Sequence, residues 1–350
     1  MKIIFSGGGT LGSVTPLMAV AEAVKKNDST ASFLWIGTKD GPERQLIQAA
    51  GLDFVAITSG RWRRFLTWQN FVTPFLVLKG LIDAWRLLRR FEPDVVMSAG
   101  GFVAVPVVWA AWWLRIPVHV HQLDWRPGLA NRLSSGVAKT ISVTFDKSRR
   151  DFDQNKVTVT GNPVRNFLLT GQADRARIKF GLQADLPLVL VLGGGTGAMN
   201  LNRLVAATVA DLSAVQVLHL TGRDKRVAVP TAPSTYQQIE FLTDELADVY
   251  AAADLVVTRA GMGTLTELAA LGIPAVIVPI PNSHQEENAD YFVEQGAAVR
   301  FDENKSGAEL AQVIRLLIAE PSVLPRMSAA MQRINSVDAA QKIVEILLGH

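Results

Sequence analysis

Short apolar runs rich in β-branched residues alternate along this chain with longer stretches in which apolar positions recur at helical spacing. Such runs are typical of parallel strands covered on both faces by helices. In the first half they predict strands at Lys2–Phe5, Ser32–Gly37, Phe54–Thr58, Asp94–Ser98, Pro117–His121, Ile141–Phe145 and Val157–Thr160. The helical spacing predicts helices between them at Pro16–Lys26, Glu43–Ala50, Asn70–Arg90, Val105–Leu114 and Pro127–Ser135.

The second half repeats this alternation. Its predicted strands are Leu188–Leu192, Gln216–Leu220, Ile239–Leu242, Leu255–Thr258, Ala275–Pro279 and Ala298–Arg300, with a helix at Met199–Leu212 and three more helices after Gly307. The polar stretch Asn162–Pro187 predicts a linker followed by a short helix. We therefore expect an α/β protein with two Rossmann-like, doubly wound domains, residues 1–163 and 164–350, whose last helix can pack back on the N-terminal domain.

Each half contains a strand that runs into a glycine-rich turn and then a helix, at Ile3–Gly12 and at Leu188–Ala198. This arrangement directs backbone N–H groups and a helix N-terminus at a phosphate-bearing ligand. Two copies half a chain apart predict a ligand in the cleft between the domains. The first turn also fits a dinucleotide fingerprint, but the next strand ends in Ile36–Lys39 without the acid that a nicotinamide site needs.

Composition narrows the class of protein. The chain has 350 residues, of which 49% are hydrophobic and 19% charged, so it predicts a packed globular protein of two domains. The absence of cysteine excludes a disulfide framework and a zinc–thiolate site, and fits a reducing cytoplasm. A net charge of +3 does not indicate a nucleic-acid partner. We expect no signal peptide ahead of the first strand and no spanning helix, with Phe102–Leu114 a buried helix.

One basic and aromatic segment, Arg61–Arg90, departs from this neutral background. It carries Arg61, Arg63, Arg64, Lys79, Arg86, Arg89 and Arg90 against the single acid Asp83, interleaved with Trp62, Phe65, Leu66, Trp68, Phe71, Phe75, Leu76 and Trp85. This composition favours an anionic membrane surface, where each well-placed cation contributes about 1 kcal/mol. An ordinary core helix with a solvated basic face is the alternative interpretation.

The segment Thr258–Glu267 also combines a strand, glycines and a helix start. Its glycines let backbone approach a ligand, and the helix N-terminus offers N–H donors to a diphosphate. Glu267 could accept hydrogen bonds from both hydroxyls of a ribose. A purely structural alternative is a capping box between Thr264 and Glu267.

The next segment, Pro279–Asn288, contains a second polar group. With Ser283 as N-cap, Gln285 and Asn288 lie three residues apart on one helical face, where paired amides can bind sugar hydroxyls and an acetamido group. The acidic triplet Asp151–Asp153 follows a basic stretch and predicts a surface turn, so we expect no metal site.

Assembled, these motifs resemble the two-domain (GT-B) glycosyltransferases, and within them the peptidoglycan family that converts lipid I to lipid II. The resemblance runs nearly end to end and rests on GGGTLGSVTP at 7–16, SAGGFVAVP at 98–106, PGLANR at 127–132, GNPVR at 161–165, GGGTGAMNLN at 193–202, TRAGMGTLTELAALGIPAVIVPIP at 258–281 and HQEENA at 284–289. It implies UDP-N-acetylglucosamine as donor, an undecaprenyl-linked muramyl-pentapeptide as acceptor, and no cofactor. It also implies a peripheral location at the cytoplasmic face of the bacterial cell membrane.

The resemblance also implies roles for individual residues. Glu267 would bind the ribose, Gln285 and Asn288 the sugar, and Arg165 the nucleotide. The remaining substrate-binding residues would be Thr10, Leu11 and Gly12 on the acceptor side, and Gly195, Thr196, Thr243, Met262, Gly263, Thr264, Leu265 and Thr266 on the donor side.

Departures from the family pattern concentrate on the acceptor side. The family histidine in G-G-H is Ser13 here, and its H-E-Q-N is His121–Asp124, which changes Glu to Gln and Asn to Asp. Gly195 stands where the family has serine, with Thr196 beside it as a hydroxyl. We therefore expect Asp124 as the general base, with His121 and Ser13 as further catalytic candidates, although a satisfied core histidine is the favoured interpretation of His121.

Three other functions remain compatible with these residues. The chain could transfer to another lipid or glycan acceptor, act as a UDP-sugar epimerase, or bind UDP-sugars as a catalytically impaired paralogue.

Overall fold

The computed structural model describes residues 1–60, 69–195 and 197–349, with backbone only for 69–72. Two compact units are formed, one by Met1–Arg165 together with the end of the chain from Val337, and one by Asn166–Ser336. The division falls between Arg165 and Asn166, close to the 163/164 boundary expected from sequence.

A parallel sheet of seven strands lies at the centre of the first unit. The strands are β1 Lys2–Ser6, β2 Ser32–Gly37, β3 Asp53–Ala56, β4 Val95–Ser98, β5 Val118–Gln122, β6 Thr140–Val143 and β7 Val157–Val159, in the order β3-β2-β1-β4-β5-β6-β7. Its helices are α1 Thr15–Asn27, α2 Glu43–Ala49, α3 Gln69–Phe91, α4 Ala104–Trp113 and α5 Leu129–Ser135, with a 3₁₀ turn at Asp146–Asp151. These elements confirm the predicted alternation, and β4, β5 and the inner part of β1 are buried because helices cover both faces of the sheet.

The second unit has the same architecture around six parallel strands. The strands are β8 Leu188–Leu192, β9 Gln216–Leu220, β10 Tyr236–Ile239, β11 Leu255–Thr258, β12 Ala275–Ile277 and β13 Ala298–Arg300, in the order β10-β9-β8-β11-β12-β13. Its helices are α6 Ala173–Phe180, α7 Met199–Ala206, α8 Glu245–Ala252, α9 Met262–Leu271, α10 Gln285–Glu294, α11 Gly307–Ala319 and α12 Val323–Gln332, with 3₁₀ turns at Asn166–Thr170 and Val209–Asp211. The strand order reverses between β1 and β4 in the first sheet and between β8 and β11 in the second. Sheets of this type bind ligands at such a reversal, and the glycine turns after β1 and β8 lie there.

Three predicted elements of the second unit are wrong in extent, one of them the strand expected at 275–279, which ends at Ile277. The strand expected at 239–242 is β10, Tyr236–Ile239, because the buried Tyr236 pairs with Val217 of β9 and its hydroxyl hydrogen-bonds to His219. The helix expected at 199–212 ends at Ala206, where the Thr208 hydroxyl donates to the Leu204 carbonyl and the chain continues as a 3₁₀ turn.

The last helix, α13 Ala339–Leu348, belongs to the first unit. It packs on α1, and Asn27 Nδ2 donates to Gln341 Oε1 at 3.0 Å. Ile343 and Val344 are buried in this contact, so the end of the chain completes the first unit.

Candidate functional site

The first glycine turn, Gly7–Gly12, is held in place from β2 and α2. The indole nitrogen of Trp35 donates to the Gly7 carbonyl at 3.0 Å, and the Gly9 N–H donates to Glu43 Oε2 at 3.2 Å. Gly9 has a φ of 83°, which favours glycine. The turn therefore has a fixed shape at the carboxyl end of β1.

Glu43 is a functional candidate that sequence reasoning missed. Its side chain is fully buried, and its Oε1 accepts a hydrogen bond from the Thr38 N–H at 2.7 Å and from the Thr38 hydroxyl. A Cβ on Gly8 would lie 2.2 Å from Glu43 Oε1, so the glycine and the carboxylate fit only as a pair. Glu43 thus joins the loops after β1 and β2. Because it lies 34 residues after Gly9, no local sequence pattern indicates this contact.

The three residues predicted to contact the acceptor, Thr10, Leu11 and Gly12, lie on the accessible side of this turn. Thr10 is exposed and the other two are half-buried. The Leu11 carbonyl accepts hydrogen bonds from the Val14 and Thr15 N–H groups at 3.0 and 3.2 Å, which joins the turn to α1. Their placement permits ligand contact at the carboxyl edge of the sheet.

Ser13 stands against the loop that follows β4. Gly101 in that loop has a φ of 88°, and a Cβ there would lie 2.7 Å from the Gly8 carbonyl and 3.6 Å from Ser13 Oγ. Within the part of the chain that the structure describes, the buried Ser13 hydroxyl has no hydrogen-bond partner. No neighbouring base activates it there, so its geometry fits a hydrogen bond to a ligand better than the expected role of a base.

Asp124 lies two residues beyond the end of β5, in a loop organised by a buried amide pair. Gln122 Nε2 donates to the carbonyls of Asp124 and Arg126 at 2.7 and 3.1 Å. Asn131 Nδ2, from α5, donates to Gln122 Oε1 at 2.6 Å and to the His121 carbonyl at 3.1 Å. The half-buried Asp124 therefore projects from a backbone whose direction is fixed.

His121 lies in the core, which argues against its expected catalytic role and agrees with the alternative of a satisfied core histidine. Its Nδ1 shares a 2.8 Å hydrogen bond with Ser142 Oγ, and its Nε2 lies 3.0 Å from Asn162 Oδ1. His119 meets the other side of the same Ser142 hydroxyl at 2.8 Å. Burial lowers the pKa of His121 to about 4 and the pKa of His119 to about 3. Both rings are therefore neutral, and both nitrogens of His121 are already occupied.

The second glycine turn follows β8 in the other unit. Gly194 and Gly197 have φ values of 81° and 71°, and Lys225 Nζ donates to the Gly197 carbonyl at 3.1 Å. Gly195 is exposed at the tip of the turn, which suits the predicted ligand contact. Thr196 lies outside the described residues.

Helix α9 begins at Met262, directly after Gly261 of the predicted glycine-containing segment. Gly261 is its N-cap, so Thr264 and Glu267 lie inside the helix and the alternative capping box between them is wrong. Gly263 and Thr264 are partly accessible in the first turn. By contrast, the Met262, Leu265 and Thr266 side chains are buried, so contact with a diphosphate there would use backbone N–H groups.

Glu267 is 6% exposed and has an aromatic partner from α8. The hydroxyl of the buried Tyr250 donates to Glu267 Oε2 at 3.3 Å. This contact orients a carboxylate one turn beyond the start of α9, as a ribose-binding side chain would require.

Gln285 and Asn288 lie together on α10, as predicted, but they face the loop before α9. Gln285 Oε1 accepts from the N–H groups of Ala260 and Ile280, both at 3.2 Å, and Asn288 Nδ2 donates to the Ala260 carbonyl at 3.1 Å. Asn288 is fully buried. The N-cap of α10 is His284 and not Ser283, whose hydroxyl accepts from the Gln285 N–H at 3.2 Å.

A buried ion pair between Arg259 and Glu303 was also missed by sequence reasoning. Arg259 Nη2 lies 2.6 Å from Glu303 Oε2, and its Nη1 donates to the carbonyls of Val278 and Pro279 at 3.0 and 3.3 Å. Arg259 thus joins the loops after β11 and β12. An arginine directly after a buried strand was the available sequence signal.

The other predicted site residues lie elsewhere in the two units. Arg165 is the half-buried last residue of the first stretch of unit one, and Thr243 is exposed just before α8. Asp151 and Asp153 flank the buried Phe152 on an exposed turn. Among the described residues, no group of three or more acids, histidines or cysteines is placed to hold a metal ion.

The apolar-basic face is the exposed surface of α3 and α4. Its apolar side chains are Phe75, Leu78, Ile82, Trp85, Trp109, Trp112 and Trp113, and its exposed cations are Lys79, Arg86, Arg89 and Arg90. The sequence prediction of a buried helix at 102–114 is therefore wrong for one side of α4, where Trp113 is 72% exposed. Residues 61–68, which carry the rest of the predicted basic segment, lie outside the described chain. No described helix has the length and apolar composition to cross a membrane.

Comparison with known proteins covers the whole chain. Residues 3–143 match the glycosyltransferase family 28 N-terminal domain, and residues 188–343 match the C-terminal domain of the same family. A Legionella pneumophila relative named UDP-N-acetylglucosamine–N-acetylmuramyl-(pentapeptide) pyrophosphoryl-undecaprenol N-acetylglucosamine transferase is 37% identical, over 99% of this chain and 96% of that protein.

Solved structures agree with this assignment. The crystal structure of Acinetobacter baumannii MurG has a TM-score of 0.75 and 27% identity, covering 100% of this chain and 99% of that one. A UDP-GlcNAc 2-epimerase from Neisseria meningitidis has a TM-score of 0.72 at 15% identity, with both chains fully covered, and shares the fold alone. By its two matched domains and its full-length relatives, this chain belongs to glycosyltransferase family 28 and has the GT-B fold.

Proposed function

We propose that this chain is an inverting glycosyltransferase that moves N-acetylglucosamine from UDP-N-acetylglucosamine to the 4-hydroxyl of an undecaprenyl-linked MurNAc-pentapeptide. This is the lipid I to lipid II step of peptidoglycan synthesis. The observation that carries the proposal is full-length similarity to relatives named for this reaction. The buried Glu267, oriented by Tyr250 in the second unit, supports it. The proposal needs no cofactor.

The donor is assigned to residues of the second unit. Glu267, oriented by Tyr250, would accept hydrogen bonds from the ribose, and the first turn of α9 would donate backbone N–H groups to the diphosphate. Gln285 would meet the sugar through Nε2, because its Oε1 is committed to the loop before α9. The buried Asn288 then acts by holding that loop rather than by touching the sugar.

The acceptor is assigned to the first unit. Asp124 would take the proton from the acceptor 4-hydroxyl, and that oxygen would form a bond to the anomeric carbon of the donor. The bond between the anomeric carbon and the β-phosphate oxygen breaks as UDP leaves with the electron pair, so the configuration inverts. Helix N-termini and Arg165 would offset the charge that develops on UDP.

The transfer reaction itself is the first test. Purified protein with UDP-N-acetylglucosamine and a lipid I analogue should release UDP and form the disaccharide-linked product. Incubation with donor alone tests the epimerase alternative, because an epimerase would isomerise the sugar without an acceptor. Donor hydrolysis without transfer to any polyprenyl-linked muramyl acceptor would count against the proposal.

Glu267→Gln tests the donor assignment. The isosteric amide keeps the packing but replaces a charged acceptor, and hydrogen bonds to charged groups contribute about 1.5–3 kcal/mol. We expect the Kd for UDP-N-acetylglucosamine, measured by calorimetry, to rise about 10- to 100-fold. Glu309→Gln, at the exposed capping box of α11, is the matched control and should bind donor normally. Equal donor affinity in Glu267→Gln and wild type would refute the ribose contact.

The apolar-basic face suggests where the enzyme meets its lipid-linked substrate. We propose that this face binds the anionic cytoplasmic surface of the bacterial membrane peripherally. Exposed tryptophans suit the headgroup layer, and arginines beside them suit anionic lipid. Arg89 already lies over the Trp85 ring, 4.6 Å from its centroid, so charge and aromatic surface are presented together.

Replacing Trp112 and Trp113 together by serine should weaken vesicle binding about tenfold or more, because two side chains that are 53% and 72% exposed no longer enter the headgroup layer. Co-sedimentation with phosphatidylglycerol–phosphatidylethanolamine vesicles measures the effect. In the same assay, added salt should weaken vesicle binding of the wild-type protein. Ile178→Ser, at an 84% exposed apolar residue of α6, is the control. Unchanged sedimentation of the double variant would place the membrane contact elsewhere.

A further inference from the structure

The loop that carries Asp124 is fixed at three successive carbonyl groups. Gln122 Nε2 donates to the carbonyls of Asp124 and Arg126, and the hydroxyl of the buried Ser148 donates to the Trp125 carbonyl at 2.9 Å. The orientation of a carbonyl fixes the backbone dihedral on either side of it. The backbone that carries the Asp124 side chain is therefore anchored by the Gln122 carboxamide at two carbonyl groups and by Ser148 at the one between them.

The orientation of that carboxamide is itself determined. Gln122 is 1% exposed, and Asn131 Nδ2 donates to its Oε1 at 2.6 Å, which turns Nε2 and both its hydrogens toward the loop. Asn131 is 6% exposed and also donates to the His121 carbonyl at 3.1 Å, so it is anchored on the end of β5. A continuous series of hydrogen bonds therefore runs from Asn131 of α5 through Gln122 to the loop, and both of these side chains are buried.

In this chain, which has Gln122 where the family has Glu, the side-chain amide is what allows donation to both carbonyl groups. A carboxylate at position 122 could still accept from Asn131, but it has no hydrogen for the two carbonyl oxygens at 2.7 and 3.1 Å. Those oxygens would face a negative charge in a buried site, and the loop would have to move away.

We infer that Gln122 is the positioning residue for Asp124 and sets the rate of acceptor deprotonation without touching either substrate. This inference rests on the proposed function, because it gives Asp124 the role of base. Misplacement of a reacting group by about 1 Å can cost about 10²-fold in rate. We expect the affinity for UDP-N-acetylglucosamine to stay unchanged, since the residues assigned to the donor, apart from Arg165, lie in 166–336 and Gln122 does not.

The test is a double-mutant cycle of Gln122→Glu, Asp124→Asn and the two together. We expect Gln122→Glu to lower kcat about 10- to 100-fold with an unchanged KM for UDP-N-acetylglucosamine. The double variant should be no slower than Asp124→Asn alone, because an aspartate that is already absent cannot be mispositioned. A merely structural role for Gln122 would give effects that multiply.

Gln216→Glu is the matched control, because Gln216 makes the same pattern of contacts in the other unit. It lies at the first residue of β9, whereas Gln122 lies at the last residue of β5. It is 3% exposed, its Nε2 donates to the carbonyls of Gln183 and Leu186 at 2.9 and 3.1 Å, and its Oε1 accepts from the Gln183 N–H at 2.6 Å. The same substitution there should lower stability and leave the kcat of the folded fraction unchanged. Equal losses of kcat in Gln122→Glu and Gln216→Glu would overturn the inference.

Asn131→Ala is measured in parallel, because it removes the amide that orients Gln122, together with its hydrogen bond to the His121 carbonyl. It answers the same question if Gln122→Glu does not fold. It too should lower kcat and show no further loss in the Asp124→Asn background. If Asp124→Asn turns over normally, the base assignment fails and the inference fails with it. If Asp124→Asn is slow while either Gln122→Glu or Asn131→Ala multiplies that loss, the base assignment stands and only the positioning role is refuted.

Discussion

Asp124→Asn is expected to lower kcat for UDP release in the presence of acceptor by about 10²–10⁴-fold, the range typical for loss of a general base. The amide has nearly the volume of the carboxylate, and the loop carbonyls bound by Gln122 stay in place. The substitution therefore removes the proton acceptor and keeps the volume of the side chain. Steady-state kinetics with a lipid I analogue should show this loss in kcat, with the KM for UDP-N-acetylglucosamine unchanged.

Asp146→Asn provides the control for this prediction. Asp146 allows the same Asp→Asn change in the same unit. It lies on an exposed 3₁₀ turn, where its ion pair with Arg149 spans 3.6 Å. Surface pairs of this kind contribute little, so activity should be normal. Full turnover by Asp124→Asn would transfer the role of base to another group and refute the assignment made for Asp124.

Mild acid is expected to destabilise the protein, and the first unit more than the second. His119 and His121 are fully buried beside each other, with pKa values lowered by desolvation to about 3 and about 4, and burial also lowers the pKa of His219 in the second unit to about 4. In the unfolded chain these side chains bind protons near pH 6.5. Unfolding therefore takes up protons at pH values between about 4 and 6.5, and stability is lost as the pH falls through that range.

The expected size follows from linkage. Between pH 7 and pH 5 each neutral histidine costs about 2 kcal/mol of unfolding free energy, hence about 4 kcal/mol in the first unit and about 2 kcal/mol in the second. Hydrogen exchange in peptides from β5 and from β9 measures the two units separately. His284→Gln, at an exposed histidine, should leave this pH dependence unchanged, whereas His121→Gln should reduce it. Equal protection of β5 at pH 7 and pH 5 would show that the buried rings are not the cause.

The fold could be predicted from sequence because its signals are local. A continuous apolar run such as Leu188–Leu192, a glycine turn and an amphipathic stretch each lie within a dozen residues, and parallel pairing follows from their alternation. The errors occur where a long-range contact decides the outcome, as at β10, whose position depends on the pairing of Tyr236 with β9.

The candidate site was predictable only in part, for the same physical reason. The sequence placed the amides of Gln285 and Asn288 on one helical face. It did not show that they bind the backbone of Ala260, which lies 28 residues before Asn288. Glu43 with Gly9, and Arg259 with Glu303, join positions 34 and 44 residues apart. Side chains that support a site from such distances leave no periodic or spacing signal, so sequence reasoning missed Glu43 and the Arg259–Glu303 pair.

The return of the chain to its starting unit has a consequence for biosynthesis. Because α13 packs on α1, the ribosome synthesises this part of the first unit only after the whole of the second unit. The second unit, by contrast, is contiguous and can fold as soon as it has left the exit tunnel. The nascent first unit therefore lacks the α13 contact of α1 until the second unit has been synthesised, which makes the first unit the part that depends more on chaperone protection.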